Sequence, residues 1–182
     1  MDNLRMFTLL ILCLVGLNAC SPSLSPFTQS LYEENNWSDT QLKKIQFYLS
    51  DDIVLWRQLS NSSSEIVSGE IKMVDGKRVE EIVIPRGTPG VLTAQPKENL
   101  FAVSFESGSD RFLMFGPNPR MGNRYMLRFK QKNNNRIYKV TYEDRVFNMR
   151  SSDALATLMV DLKKVNQVSV KSRRASGRKI ND

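Results

Sequence analysis

The stretch VSGEIKMVDGKRVEEIVI, residues 67–84, predicts two β-strands joined by a tight turn. In its first half Val67, Gly69, Ile71 and Met73 alternate with mostly polar neighbours, which is the two-residue period of a strand. Asp75-Gly76 is a favoured pair for a two-residue hairpin turn, because both central positions adopt positive φ. The β-branched run from Val79 to Ile84 then forms the second arm. We therefore expect an antiparallel hairpin.

The same alternation continues on both sides of this hairpin. We predict further strands at 53–59, 91–94, 101–105, 111–115, 125–129, 137–142 and 145–149. Strands that recur about every ten residues, without helical crossovers, are typical of antiparallel β architectures. The sequence thus predicts a mainly β (α+β) fold, either a sandwich or a small barrel, with one N-terminal helix.

That helix is predicted at 39–49. Ser38-Asp39-Thr40-Gln41 has the form of a capping box, in which Ser38 is the N-cap and Gln41 reaches back to it. Leu42, Ile45 and Leu49 follow at helical spacing. A second segment, 154–163, fits a strand and a helix almost equally, and we favour a strand because the segments before it are β.

The N-terminus predicts an export signal. The apolar run from Met6 to Leu17 is too short to span a bilayer, which takes about 20 residues, and it follows a short segment with Arg5. The next residues, Leu17-Asn18-Ala19-Cys20, resemble the lipobox of bacterial lipoproteins. The resemblance implies diacylation of the Cys20 thiol, cleavage before it and acylation of the new amino group. The alternative is an ordinary signal peptide with a chance cysteine.

These features divide the chain into four parts. We expect a signal peptide at 1–19, a lipidated Cys20 and a Ser/Pro tether at 20–36, one globular domain at 37–170 and a basic disordered tail at 171–182. If the tether stays open to about Asn36, it could hold the domain up to about 50 Å from the membrane, at ~3.1 Å per residue. The alternative is that Phe27, Leu31 and Tyr32 dock on the domain earlier and shorten that reach. The mature domain would contain no disulfide, since Cys20 is its one remaining cysteine.

Composition argues against most enzyme classes. The chain has no histidine, which removes the commonest general base and most transition-metal sites. It has no glycine-rich phosphate loop, and a lipidated Cys20 cannot act as a nucleophile. Adjacent carboxylates remain, but Glu80 and Glu81 would point to opposite faces of their strand. We expect a protein that is not an enzyme and has no metal and no cofactor except its covalent lipid.

The C-terminal tail is a first candidate surface. From Lys163 onward the chain has seven Lys and Arg residues against one Asp. Such a tail could contact anionic membrane lipids or acidic proteins, through Lys171, Arg173, Arg174, Arg178 and Lys179. The alternative is a solvated end without a partner. An export signal argues against nucleic acid as its ligand.

The second candidate surface is FGPNPRMGNRY, residues 115–125, a long irregular connection between two strands. Long loops in compact domains are often functional, and Arg, Met and Tyr are common at protein interfaces. We expect Arg120, Met121, Arg124 and Tyr125 to bind a partner. The alternative is a wide turn at a sheet edge.

In overall layout the chain resembles envelope lipoproteins of the Bacteroidota. Lipoproteins of that group that reach the cell surface usually carry acidic residues just after the cysteine, and Ser21 to Leu24 contain none. The resemblance therefore implies an outer-membrane anchor with the domain facing the periplasm. The expected function is a binding or assembly subunit of a secretion, motility or envelope-assembly complex. The alternative is a module that binds glycan, peptidoglycan or lipid in a pocket lined by Tyr125, Phe129, Tyr138 and Tyr142.

Overall fold

The computed structural model describes residues 23–59, 69–74, 76–131 and 137–169. The hairpin from which the fold was inferred is present, as Glu70–Val74 pairs with Lys77–Ile84. Val74 lies opposite Lys77, which leaves two residues in the turn, and Gly76 has φ +70°. The predicted two-residue turn is therefore confirmed, although Asp75 lies outside the described residues.

The fold has thirteen strands and three α-helices within the described ranges. In chain order these are β1 (Leu24–Pro26), α1 (Gln29–Asn35), α2 (Asp39–Leu42), β2 (Gln46–Leu49), β3 (Ile53–Gln58), β4 (Glu70–Val74), β5 (Lys77–Ile84), β6 (Pro89–Lys97), β7 (Leu100–Ser104), β8 (Leu113–Asn118), β9 (Arg124–Leu127), β10 (Lys130–Gln131), β11 (Ile137–Tyr142), β12 (Arg145–Arg150), β13 (Leu158–Asp161) and α3 (Leu162–Ser169). Two short 3-10 turns lie at Pro119–Met121 and Asp153–Leu155.

The strands form two antiparallel sheets that pack as a sandwich. One sheet has the order β1-β13-β2-β6-β7-β8-β9, and the other has the order β10-β11-β12-β3-β5-β4. Alternate residues of both sheets point into a shared apolar core, as the two-residue period of a strand requires. The sandwich was one of the two predicted architectures.

The predicted helix at 39–49 is only partly correct. The capping box forms, with the Ser38 amide donating to Gln41 Oε1 at 3.0 Å, but the helix ends at Leu42. The chain then continues as β2, in which Phe47 and Leu49 are buried. Phe, Tyr and Ile are stronger strand formers than helix formers. Pairing of Gln46–Leu49 with β6 and β13 therefore determined the structure, rather than the three- and four-residue spacing of Leu42, Ile45 and Leu49.

In the described part of 20–36 the chain does not stay open as a tether; it follows the alternative in which Phe27 docks on the domain. Leu24–Pro26 pairs with β13, and Phe27 is fully buried. The Phe27 amide donates to the Leu158 carbonyl at 2.8 Å, while the Phe27 carbonyl accepts from the Tyr125 amide at 2.9 Å. This segment therefore belongs to the fold, because the extended backbone that Ser and Pro favour can pair as a strand and burial of Phe27 holds it against the domain.

The C-terminal part of the domain combines the two structures that were considered for 154–163. The strand prediction is confirmed for Leu158–Asp161, but the chain becomes α3 from Leu162. Val165 on this helix is buried in the core. With α1, α2 and α3 the fold therefore has more than the one predicted helix. The proposed tail residues from 171 onward, like Cys20, lie outside the described residues.

Candidate functional site

The connection at 115–125 is shorter than the sequence indicated. β8 extends to Asn118, a 3-10 turn follows, and β9 starts at Arg124. Arg120, Met121 and Arg124 are exposed, and Met121 keeps 43% of its surface accessible. Arg120 and Met121 therefore lie on a tight turn and Arg124 at the start of β9, where a partner could contact them.

Tyr125, the fourth residue predicted for this surface, is instead part of the core. It is fully buried, with its ring 4.9 Å from that of Phe27 and 4.7 Å from that of Phe101. Its hydroxyl donates to Gln29 Oε1 at 2.9 Å, and burial raises the pKa of Tyr125. The prediction was wrong because the inward positions of β9 begin at this residue.

The aromatic residues considered for a ligand pocket do not come together as one group. Tyr142 is buried in the core, like Tyr125. Phe129 and Tyr138 form a separate pair, stacked with their ring centroids 4.2 Å apart. Only this pair is accessible from outside, since Phe129 is 38% exposed and Tyr138 is partly exposed.

A cleft of about 740 Å³ lies beside Phe129, where β6, β7 and β8 of one sheet approach β10, β11 and β12 of the other. We name it the basic cleft. Its walls are formed by residues 97–100, Met114, Gly116, Pro117, 128–130, 139–141 and Val146. Ligand sites in proteins have volumes of about 300–1,000 Å³, so this cleft is large enough to hold a small molecule.

The basic cleft combines apolar walls with a cationic rim. Leu100, Met114, Val140 and Val146 provide apolar surface from both sheets. Lys97, Arg128, Lys130 and Lys139 provide four positive charges, against the single carboxylate of Glu98. Within the described part of the chain these four cations take part in no ion pair of the fold, whose salt bridges involve Arg57, Lys72 and Arg111.

Two of these cations face each other directly. Lys130 of β10 and Lys139 of β11 are cross-strand partners, so their side chains project from the same face of the sheet. Like charges in this position destabilise a strand pair. The side chain of Arg128 lies beside Gly116 of β8. Lys130 and Lys139 thus place two positive charges on one face of the β10–β11 pair.

A block of positive charge in the sequence marks part of this site. Between Asp110 and Glu143 the chain has eight Lys and Arg residues and no acidic residue. Acidic residues elsewhere in the domain offset these positive charges, so the net charge of the domain does not reveal the block. Only the sheet topology shows that part of the block meets the β6–β7 connection to form the basic cleft.

The carboxylates of Glu106 and Glu143 are engaged outside the cleft. Arg111 Nε lies 2.9 Å from Glu143 Oε1, and the Tyr142 hydroxyl donates to Glu106. These contacts connect the β7–β8 loop to the β11–β12 turn. Burial, followed by the hydrogen bond to Glu106, raises the pKa of Tyr142. The arrangement stabilises the contact between the two sheets.

Glu80 and Glu81 behave as the strand period predicted. The buried Glu80 pairs with Arg57, whereas Glu81 on the opposite face pairs with Lys72. The hydrogen bond to Glu81 raises the pKa of Lys72.

In the described ranges no three acidic or cysteine side chains are grouped as a metal ion would require. None of the described helices has the length and apolar character needed to cross a bilayer.

Comparisons with known proteins add no relative to this description. No protein-family model matches the chain, and no curated protein or solved structure shows significant similarity to it. The function therefore has to be inferred from the chain's own residues. Among the described residues, the basic cleft combines a large volume with both apolar and charged side chains.

Proposed function

We propose that this protein is a membrane-anchored binding module without catalytic activity, and that the basic cleft is its binding site. The observation that carries the proposal is the combination of apolar walls from both sheets with four cations that have no ion-pair partner in the described fold. Pockets that bind small molecules are mainly apolar and contain a few convergent polar groups that orient the ligand. The basic cleft has this composition.

The residues near the cleft support binding rather than catalysis. The chain has no histidine, and Glu98 is the one acidic residue in the cleft wall. General acid–base chemistry needs a group that gives or takes a proton near the reacting atom. Lysine and arginine at a rim instead suit the recognition of an anion.

The location we propose follows from the lipobox-like residues before Cys20. The protein would be a lipoprotein of the outer membrane, with its domain facing the periplasm. Because β1 starts at Leu24, only three residues separate the folded domain from Cys20. A fully extended chain spans at most about 3.6 Å per residue, so Leu24 would lie within ~14 Å of the lipidated cysteine. The domain would therefore be held close to the membrane surface.

A second function is supported by the turn between β8 and β9. Arg120, Met121 and Arg124 are exposed there, and side chains of these types are enriched in protein interfaces. On this alternative the protein is an assembly subunit that binds another envelope protein through the turn, as part of a secretion, motility or envelope-assembly complex.

Site-specific cross-linking in living cells separates the two functions. A photoreactive amino acid is placed at Val146 in the cleft, at Met121 on the turn, or at Val91 as a control. These three side chains have similar exposures of 57%, 43% and 46%. The binding-module proposal predicts a defined adduct from position 146 and none from position 91. A defined adduct from position 121 alone would favour the assembly subunit, and equal adducts from all three positions would contradict both.

A further inference from the structure

The cross-strand pair of Lys130 and Lys139 indicates what the basic cleft binds. The two lysines are directly paired across β10 and β11, and no described carboxylate forms a salt bridge with either. Like charges so placed destabilise the strand pair, and an anion between them would remove that repulsion. Lysine is a common phosphate ligand because its ammonium group is a compact charge with three donors. The lysine pair therefore fits a phosphate group.

The apolar walls indicate a second chemical group in the same ligand. Leu100, Met114 and Val146 line the cleft together with the cations, and Val146 is 57% exposed. A free phosphate or a sugar phosphate would leave this apolar surface in water. A hydrocarbon chain would cover it, with a gain of about 25 cal/mol per Å² of apolar area removed from water. The ligand should therefore be amphipathic.

We infer that the basic cleft binds one acyl chain of an anionic phospholipid, with the phosphate at Lys130 and Lys139 and the chain along Met114 and Val146. This inference rests on the proposed function, since it names the ligand of the same site. The proposed lipid anchor would keep the domain at a membrane, which is a source of such lipids. Nucleic acid provides phosphate but no hydrocarbon chain for the walls, and an unmodified acidic peptide provides no phosphate for the lysine pair.

Titration calorimetry tests the ligand class. The protein is residues 20–182 with Cys20→Ser, which contains every described element and has no lipid of its own to compete. Three probes are added below their micellar concentrations: lysophosphatidic acid, lysophosphatidylcholine of the same chain length, and inorganic phosphate. Lysophosphatidic acid should bind at least about tenfold more tightly than either of the others. The inference would be overturned if lysophosphatidylcholine or inorganic phosphate bound as tightly as lysophosphatidic acid.

Charge reversal tests the position of the phosphate. Lys130→Glu combined with Lys139→Glu should weaken lysophosphatidic acid binding at least about tenfold. The matched control is Lys77→Glu combined with Arg86→Glu, which makes the same change in net charge at exposed residues outside the cleft. The control should change the affinity less than about twofold. Equal losses in both variants would show diffuse attraction and overturn the inference.

A second pair of variants tests the position of the acyl chain. Val146→Asp places a charge on the cleft wall, whereas Val91→Asp makes the same change at a site of similar exposure on β6. Only the first should weaken lysophosphatidic acid binding, by about tenfold. Circular dichroism of each variant confirms folding before binding is measured. Equal affinities of the two variants would overturn the proposed chain position.

The inference can fail without the proposed function. If lysophosphatidic acid does not bind but Val146 still gives a defined cross-linked adduct in cells, the basic cleft is a binding site for another ligand, and the inference about phospholipid is wrong. If both lysophosphatidic acid binding and the adduct from position 146 are absent, the proposed function fails as well.

Discussion

Replacement of Phe27 by alanine tests whether the segment just after the proposed lipid anchor belongs to the folded domain. Phe27 is fully buried. Its ring centroid lies 4.9–6.0 Å from those of four other aromatic residues, Trp37, Phe47, Phe101 and Tyr125. Truncating a buried phenylalanine costs about 3–5 kcal/mol, and the loss of aromatic contacts places this site in the upper half of that range. We expect Phe27→Ala to lower the free energy of unfolding by about 4 kcal/mol.

Urea denaturation of residues 20–182 with Cys20→Ser measures this effect. With a denaturant slope of about 2 kcal/mol per molar, the midpoint should fall by roughly 2 M. Phe129→Ala is the matched control, because Phe129 is 38% exposed and has one stacked partner. Its cost should stay below about 1.5 kcal/mol. If Phe27→Ala costs no more than Phe129→Ala, with an unchanged slope, then Phe27 lies in an open tether and the account of β1 is wrong.

Three further predictions concern the anchor, the contact between the sheets and the buried tyrosines. Cys20→Ser should abolish acyl labelling of the full-length protein and its recovery with membranes, and normal labelling and fractionation would rule out a lipidated Cys20. Arg111→Ala removes the ion pair with Glu143 and should cost about 1.5–3 kcal/mol by urea denaturation; a cost below about 0.5 kcal/mol would show that the pair contributes little. Burial raises the folded-state pKa values of Tyr125 and Tyr142 above the unfolded value of about 10. The stability that these protonated tyrosines contribute is therefore complete below about pH 10, and it is lost as the pH rises through their folded-state pKa values. In an ultraviolet absorbance titration these two tyrosines should stay protonated until the protein unfolds, and ionisation of all five tyrosines near pH 10 without unfolding would contradict this.

The strands were largely predictable from the sequence because each depends on local signals. Alternation of apolar residues and turn pairs such as Glu143-Asp144 define the hairpins, and both of these residues have positive φ in the structure. The segment 39–49 was misjudged because its apolar residues fit a helix and a strand at once. Strand pairing of Gln46–Leu49 with β6 and β13 determined the outcome, and pairing between distant segments is not visible in one local pattern.

The site was less predictable than the fold. The turn residues Arg120 and Met121 are exposed as expected, but burial of Tyr125 depends on how β9 contacts Phe27. The basic cleft depends on the approach of two sheets, which brings Lys97 next to residues more than 30 positions later in the chain. The acid-free block from 111 to 142 was visible in the sequence. Its apolar partners became apparent only from the topology.

Methyl NMR of the methionines tests most directly whether the basic cleft is the binding site. Met114 lines the cleft, whereas Met73 and Met121 are exposed residues outside it. Lysophosphatidic acid is added to residues 20–182 carrying Cys20→Ser and labelled at the methionine methyl groups. The account predicts a saturable shift of the Met114 signal, with the Met73 and Met121 signals unchanged. A shift of the Met121 or Met73 signal while the Met114 signal remains unchanged would contradict it.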